Sequence, residues 1–220
     1  MGLARGLERR LERMVDGLAA RLFKGRVHPV ELGSRLVREA DLALFDTPGG
    51  PGAPNAFRVT MGGEAEVEPE VLTAVRAELA QFVEDAAADR GWRLDGLAWV
   101  DVAIDPDARP SDVGIECWVE PGPRPPWARL EPIAGGPWIP IGVNRAVVGR
   151  SSGADIHVPR DDVSRIHALI WQESGSAWLA DLGSSNGTHV NGGPVLESTP
   201  IVDGDIVSFG GAEYFVRPPE

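Results

Sequence analysis

Val147-Val148-Gly149-Arg150, then Ser164-Arg165-Ile166-His167, then Ser185-Asn186-Gly187-Thr188 with Asn191-Gly192 just beyond: these pieces decide how the chain is read. Each is ordinary alone. Gly-Arg after an apolar run commonly ends a strand with a solvated arginine, Asn-Gly is a hairpin turn, and Ser-Arg-x-His can be a loop serine beside a packed histidine. Their weight lies in their order and in the short β-like runs that separate them, Ile156 to Val158, Ala168 to Trp171 and Trp178 to Leu182. Outward from there, further short apolar runs stand at Ile139 to Val143, Ala146 to Val148, Ile206 to Phe209 and Tyr214 to Val216, split by turn residues. That pattern predicts an all-β sandwich. Trp171 and Trp178 flank Gly175 and are expected to pack on the core as a hairpin pair, and Asp203-Gly204-Asp205 is the turn into a late strand.

In this order the three pieces resemble the forkhead-associated (FHA) domain, a β-sandwich that binds phosphothreonine peptides. The residue chemistry agrees. Phosphothreonine carries nearly two negative charges and several acceptor oxygens, so its pocket needs guanidinium groups and small hydroxyl and amide donors on loops that converge. Arg150, Ser164, Arg165, Ser185 and Asn186 are such a set. The resemblance implies that Arg150 contacts the phosphate directly and that Ser164 donates its hydroxyl. Arg165 either reaches the phosphate or stays solvated. Ser185 is expected to touch the phosphothreonine, and the Asn186 amide to hold the ligand backbone. By the same resemblance Gly149, His167, Gly187, Thr188 and Asn191 are loop architecture, with His167 a buried brace rather than a catalytic group.

Ahead of this domain the pattern changes. Leu3, Leu7, Leu11, Met14, Leu18 and Leu22 recur at helical spacing, with Gly25 as a stop. Pro29 opens a second helix with Glu31 near its start and Val30, Leu36, Val37 and Ala40 as its apolar side. The Pro/Gly segment from Thr47 to Asn55 reads as a flexible loop, and Thr47 in it as an accessible candidate phosphate acceptor. Phe57, Val59 and Met61 alternate as a half-buried strand, and Pro69 starts a helix with the face Leu72, Val75, Leu79, Phe82, Val83 and Ala86, capped at Gly91. Strands are expected at Leu97 to Ile104 and Ile115 to Val119. The order ααβαββ predicts a small α+β domain over residues 1–120, followed by a Pro/Gly-rich linker at 121–136 and the sandwich at 137–220, with Trp127 and Leu130 as candidates for its first strand and a boundary then near Pro125. Leu7-Glu8-Arg9-Arg10-Leu11-Glu12-Arg13-Met14-Val15-Asp16-Gly17, with Phe23-Lys24 and His28-Pro29-Val30-Glu31-Leu32, resembles the N-terminal domain of actinobacterial FhaA-type proteins, in which an FHA domain follows at the C-terminus.

Composition limits the alternatives. The net charge of −12 is uneven: residues 1–40 carry nine Lys/Arg against five Asp/Glu, whereas residues 41–120 carry five against seventeen. An acidic chain does not offer the broad basic face that nucleic acid needs. The single cysteine, Cys117, forms no internal disulfide, and His28, His157, His167 and His189 lack metal-ligand spacing, so no metal and no cofactor is expected. No apolar run reaches the length of a membrane span, and the expected location is cytoplasmic. No nucleophile with a base and no nucleotide-cradling glycine loop is present, so the chain reads as a non-enzyme.

The resemblances imply a phosphothreonine-dependent adapter beside bacterial Ser/Thr kinases, linked to cell-wall synthesis or division through a phosphorylated partner, with a membrane cell-wall protein or a Ser/Thr kinase as the candidates. The alternative is an N-terminal nucleic-acid or membrane-surface module regulated by the FHA domain. Its support is the basic helix from Arg5 to Arg26; against it, Glu8, Glu12 and Asp16 interleave the arginines.

Overall fold

The computed structural model describes residues 29–63, 68–109 and 111–219. They form two compact units, one of the described residues up to Phe45 with 52–87 and 94–122, the other of 46–51, 88–93 and 123–220. The helix read at Leu3 to Leu22, and with it the basic segment from Arg5 to Arg26, lies outside the described residues.

In the first unit, α1 (Pro29–Leu42) and α2 (Pro69–Arg90) both begin at a proline, which is tolerated where the backbone N–H has no helical partner. β3 (Ala56–Gly62) runs parallel to β4 (Trp99–Asp105), with α2 as the crossover, and antiparallel to β5 (Val113–Trp118), so the sheet order is β4-β3-β5. Two elements of the same direction need such a crossover. The helices cover one face: Leu32, Leu36 and Ala40 of α1 and Val75, Leu79 and Val83 of α2 are buried with Phe57, Val59, Val100 and Val102. Gly33 lets α1 rest on the Phe82 ring, where a Cβ would come to 3.1 Å. Asn55 is fully buried and satisfied: Nδ2 donates to the carbonyls of Leu97 (3.0 Å) and Glu120 (2.9 Å), and Oδ1 accepts from the Glu120 amide (2.9 Å). This is the α+β domain expected from the sequence.

The Thr47-to-Asn55 loop is not the flexible segment that its prolines and glycines suggest. β1 (Phe45–Thr47) and β2 (Gly50–Gly52) pair there as a small hairpin. The half-buried Thr47 closes it with its hydroxyl, which donates to the Gly50 carbonyl (2.7 Å) and accepts from the Gly49 amide (3.2 Å). The candidate acceptor hydroxyl is therefore engaged rather than free.

The second unit is a sandwich. One sheet has the order β14-β11-β10-β8-β9, from β8 (Ala146–Gly149), β9 (Ile156–His157), β10 (Ala168–Glu173), β11 (Ser176–Asp181) and β14 (Thr199–Ile201). The other has the order β13-β12-β15-β16-β6-β7, from β6 (Ala128–Pro132), β7 (Ile139–Ile141), β12 (Thr188–Val190), β13 (Gly193–Pro194), β15 (Ile206–Phe209) and β16 (Ala212–Arg217). β6 falls inside the 121–136 stretch read as linker, because Ala128 and Leu130 supply inward side chains and the strand pairs with both β16 and β7. Between the sheets lie Leu130, Ile141, Val148, Ile156, Ile170, Leu179, Val207 and Phe209, all at most 1% exposed.

Trp171 and Trp178 are cross-strand partners, stacked at 6.3 Å, but they do not enter this core. Side chains alternate across a strand, so with Ala168, Ile170 and Leu179 turned inward, Leu169, Trp171, Trp178 and Ala180 fall on the outer face beside Val147. Segments 46–51 and 88–93 join this unit through Arg145, whose guanidinium donates to the carbonyls of Gly91 (2.6 Å) and Gly49 (2.9 Å). Turns hold the register: Ser174-Gly175 (φ 50° and 77°) and Asn191-Gly192 (φ 50° and 80°) both use left-handed backbone, as two-residue hairpin turns do.

Gly149 ends β8 with its backbone against the Arg165 carbonyl, where a Cβ would collide with the oxygen. Gly149→Ala should therefore lower the stability of the sandwich by about 2 kcal/mol or more, read as an earlier denaturant midpoint with an unchanged slope.

Candidate functional site

Three connections at one edge of the sandwich converge: 150–155 after β8, 158–167 before β10, and 182–187 before β12. One open cleft of about 390 Å³ takes in Arg150, Ser164, Arg165, Ser185 and Asn186, together with Asp161, Asp162, Val163 and Ile166. All five residues singled out from the sequence as ligand contacts thus line the same cleft.

Backbone bonds fix the first two loops together. The Arg150 amide donates to the Ser164 carbonyl (2.9 Å) and the Ser151 amide to the Arg165 carbonyl (3.3 Å). The third loop is tied in by Ser164, whose hydroxyl oxygen accepts from the Ser185 amide (3.0 Å). With that lone pair occupied, the Ser164 proton is available to the cleft. Arg150 and Arg165 are exposed, and among the described residues neither guanidinium has a hydrogen-bond or ion-pair partner. Two unpaired cations beside exposed hydroxyl and amide donors form a site for a compact anion with several acceptor oxygens. Asn186 is partly committed: its Nδ2 donates to the Asp162 carbonyl (2.8 Å), which orients the amide and leaves Oδ1 exposed.

His167 is fully buried beneath the loops. Its Nδ1 accepts from the Ser164 amide (3.0 Å), so Nε2 carries the proton and donates to the Gly187 carbonyl (3.1 Å). The ring stands edge-on to Phe209 at 5.8 Å. Gly187 is left-handed (φ 79°), Thr188 is buried with its hydroxyl on Asp181 (2.6 Å), and Asn191 joins Asp205 (2.8 Å) to the Ile206 amide (2.9 Å).

Two carboxylates in this scaffold were not singled out from the sequence. Asp181 gathers the third loop: Oδ1 accepts from the amides of Gly183 (2.8 Å) and Ser184 (2.9 Å), and Oδ2 from the hydroxyls of Ser184 (2.5 Å) and Thr188. Burial pushes its pKa up, but these donors outweigh burial and leave it below the usual carboxylate value. An aspartate two residues ahead of a glycine in a Ser-rich turn was the available signal. Asp162 accepts two bonds from Arg160 (both 2.9 Å) and one from the Gly211 amide (3.0 Å). The Arg160 hydrogen bonds lower its pKa to about 2, and that pairing commits Arg160 to Asp162.

The sandwich, its loop order and its cationic cleft define an FHA domain, and the FHA family matches residues 146–210. The FhaA N-terminal domain family matches residues 5–116, and the chain belongs to it: an FhaA-type N-terminal domain followed by an FHA domain. FHA domains are binding modules, and neither matching family is a catalytic one. The FHA domain-containing protein FhaA of Mycobacterium tuberculosis is 42% identical over 71 residues, which are 32% of this chain and 13% of that protein. The glycogen accumulation regulator GarA of Mycolicibacterium smegmatis is 42% identical over 62 residues, 28% of this chain and 39% of that one. The chain therefore spans well under half the length of either relative. Among solved structures, the FhaA FHA domain complexed with the intracellular domain of Rv3910 is 34% identical and covers 41% of this chain and 99% of that one, at a TM-score of 0.38.

Two outcomes follow from this scaffold. His167→Ala should lower the melting temperature by the equivalent of about 1 to 3 kcal/mol, as for a lost buried hydrogen-bonding group, measured calorimetrically without ligand. Asp162 and Asp181 titrate lower in the folded protein than in the unfolded chain, so their contribution is whole above the unfolded value and is lost as pH falls through the folded one. Thermal stability should accordingly fall between pH ~4 and ~2, and Asp162→Asn should flatten that fall.

Proposed function

We propose that the chain is a phosphothreonine-dependent protein-binding adapter, with Arg150, Ser164, Arg165, Ser185 and Asn186 as its ligand contacts. The observation that carries this reading is the pair of guanidiniums, Arg150 and Arg165, without partners among the described residues and lining one cleft with the Ser164 hydroxyl. A phosphate ester on a peptide meets that demand, since it offers several acceptor oxygens and close to two charges. Arg150 supplies the main charge-assisted contact, Ser164 and Ser185 donate hydroxyls, and Asn186, oriented by the Asp162 carbonyl, holds the peptide backbone.

The cleft binds rather than turns over its ligand. The histidine beneath it has both nitrogens committed to backbone and so offers the cleft no base. Phosphothreonine is made by Ser/Thr kinases, so the adapter acts downstream of one, in the cytoplasm. No helix among the described residues is long and apolar enough to cross a membrane, and on this reading a phosphorylated partner brings the protein to one. The solved FhaA FHA domain is complexed with an intracellular domain, and membership of the FhaA family supports a role in cell-wall synthesis or division.

Arg150→Ala should weaken binding of a phosphothreonine peptide by about 2 kcal/mol or more, some thirtyfold in affinity. Calorimetry with matched phosphorylated and unphosphorylated peptides measures it, and equal affinity of the wild type for both forms would sink the reading.

A further inference from the structure

Arg93 lies 62 residues ahead of Asp155 in sequence but belongs to the same compact unit. Its guanidinium grips both oxygens of that carboxylate, each at 2.8 Å, with the two side chains only 16% and 21% exposed. Asp155 Oδ2 also accepts from the Val147 amide of β8 (2.9 Å). Exposed ion pairs contribute little, but this one is bidentate, mostly buried and shares its carboxylate with a backbone donor, so each group depends on the other.

The position of Asp155 gives the pair its meaning. Arg150 is the first residue of the connection between β8 and β9, and Asp155 is the last. Within it the Ala154 amide donates to the Ser151 carbonyl (3.0 Å), and the Val158 amide beyond donates to the Gly149 carbonyl (2.9 Å). The Asp155 carboxylate folds back to β8 and so fixes the far end of the loop against its near end. Arg93 sets the direction of that carboxylate through both of its oxygens, and is itself held by its amide on the Pro51 carbonyl (2.9 Å). It is not among the residues lining the cleft.

We propose that Arg93 is a positioning residue for the phosphate site: it holds Asp155, and through it the loop 150–155, in the conformation that presents Arg150 to the ligand. This rests on the phosphothreonine reading of the cleft. Truncating Arg93 leaves a buried carboxylate with one amide partner; it turns toward water, and the loop loses its closure. Arg150 then spends part of its binding energy on being ordered.

The test uses the whole chain. Arg93→Ala should weaken phosphothreonine-peptide affinity about three- to tenfold, and Arg93→Lys should recover part of it. In an Arg150→Ala background, Arg93→Ala should cost nothing further, because the loop no longer carries the anchor. Unchanged affinity in the single variant, or an equal loss in both backgrounds, overturns the proposal. Amide exchange without peptide separates it from the binding reading: Arg93→Ala should speed exchange at Val147 and Ala154 and leave Ser164 protected. Unaltered exchange at Val147 and Ala154 overturns it, as does acceleration spread evenly over the unit. Locally raised exchange in a chain whose wild type ignores phosphorylation would sink the phosphothreonine reading and uphold the hold of Arg93 on the loop.

Discussion

The site depends on one imidazole. His167 accepts from the Ser164 amide on one nitrogen and donates to the Gly187 carbonyl on the other, so a single buried ring sets the separation of two ligand loops. No pair of charged groups does this as well, because a buried charge demands full compensation, whereas a neutral imidazole offers one donor and one acceptor on opposite sides. The ring rests on Phe209, a fully buried residue of the facing sheet. The spacing of the loops is therefore inherited from the packing of the sandwich rather than from the loops themselves, and a loose core would be felt first as a misshapen cleft.

A second theme is the use of carboxylates as staples. Each ligand loop is closed by an aspartate that takes up backbone amides: Asp155 the Val147 amide, Asp162 that of Gly211, and Asp181 those of Gly183 and Ser184. Asp205 does the same for Val202 outside the cleft. This explains how an acidic chain keeps a cationic site. Asp155, Asp162 and Asp181 are spent on amides, hydroxyls and nearby arginines, whereas Arg150 and Arg165 are left unspent among the described residues. Local pairing, not net charge, decides what the cleft attracts.

Much of this was legible in the sequence because it depends on local rules. Glycines in left-handed turns, prolines at helix starts and short apolar runs locate the elements, and Arg150, Ser164, Arg165, Ser185 and Asn186 were named from their motifs and share one cleft. What was hidden depends on distant or side-chain partners. The Thr47-to-Asn55 segment reads as loop from composition, whereas the β1-β2 pairing, closed by the Thr47 hydroxyl on Gly50, makes it a hairpin. The run Ala168 to Trp171 is apolar at all four positions, so it does not disclose that Trp171 faces outward until Ile170 and Leu179 are seen to fill the core. Strand β6 showed in the sequence only through Trp127 and Leu130 at the end of a proline-rich stretch, and nothing local links Arg93 to Asp155, 62 residues further on.

The Ser164 hydroxyl has one lone pair filled by the Ser185 amide and its proton to offer the cleft, beside two guanidiniums that are donors only. On the phosphothreonine reading the ligand brings a titrating group of its own, a phosphate whose second ionisation lies near pH ~6. Acidity would then weaken the complex by capping an acceptor oxygen of the peptide. Part of the response of such a complex to its surroundings would in this sense be carried by the bound peptide.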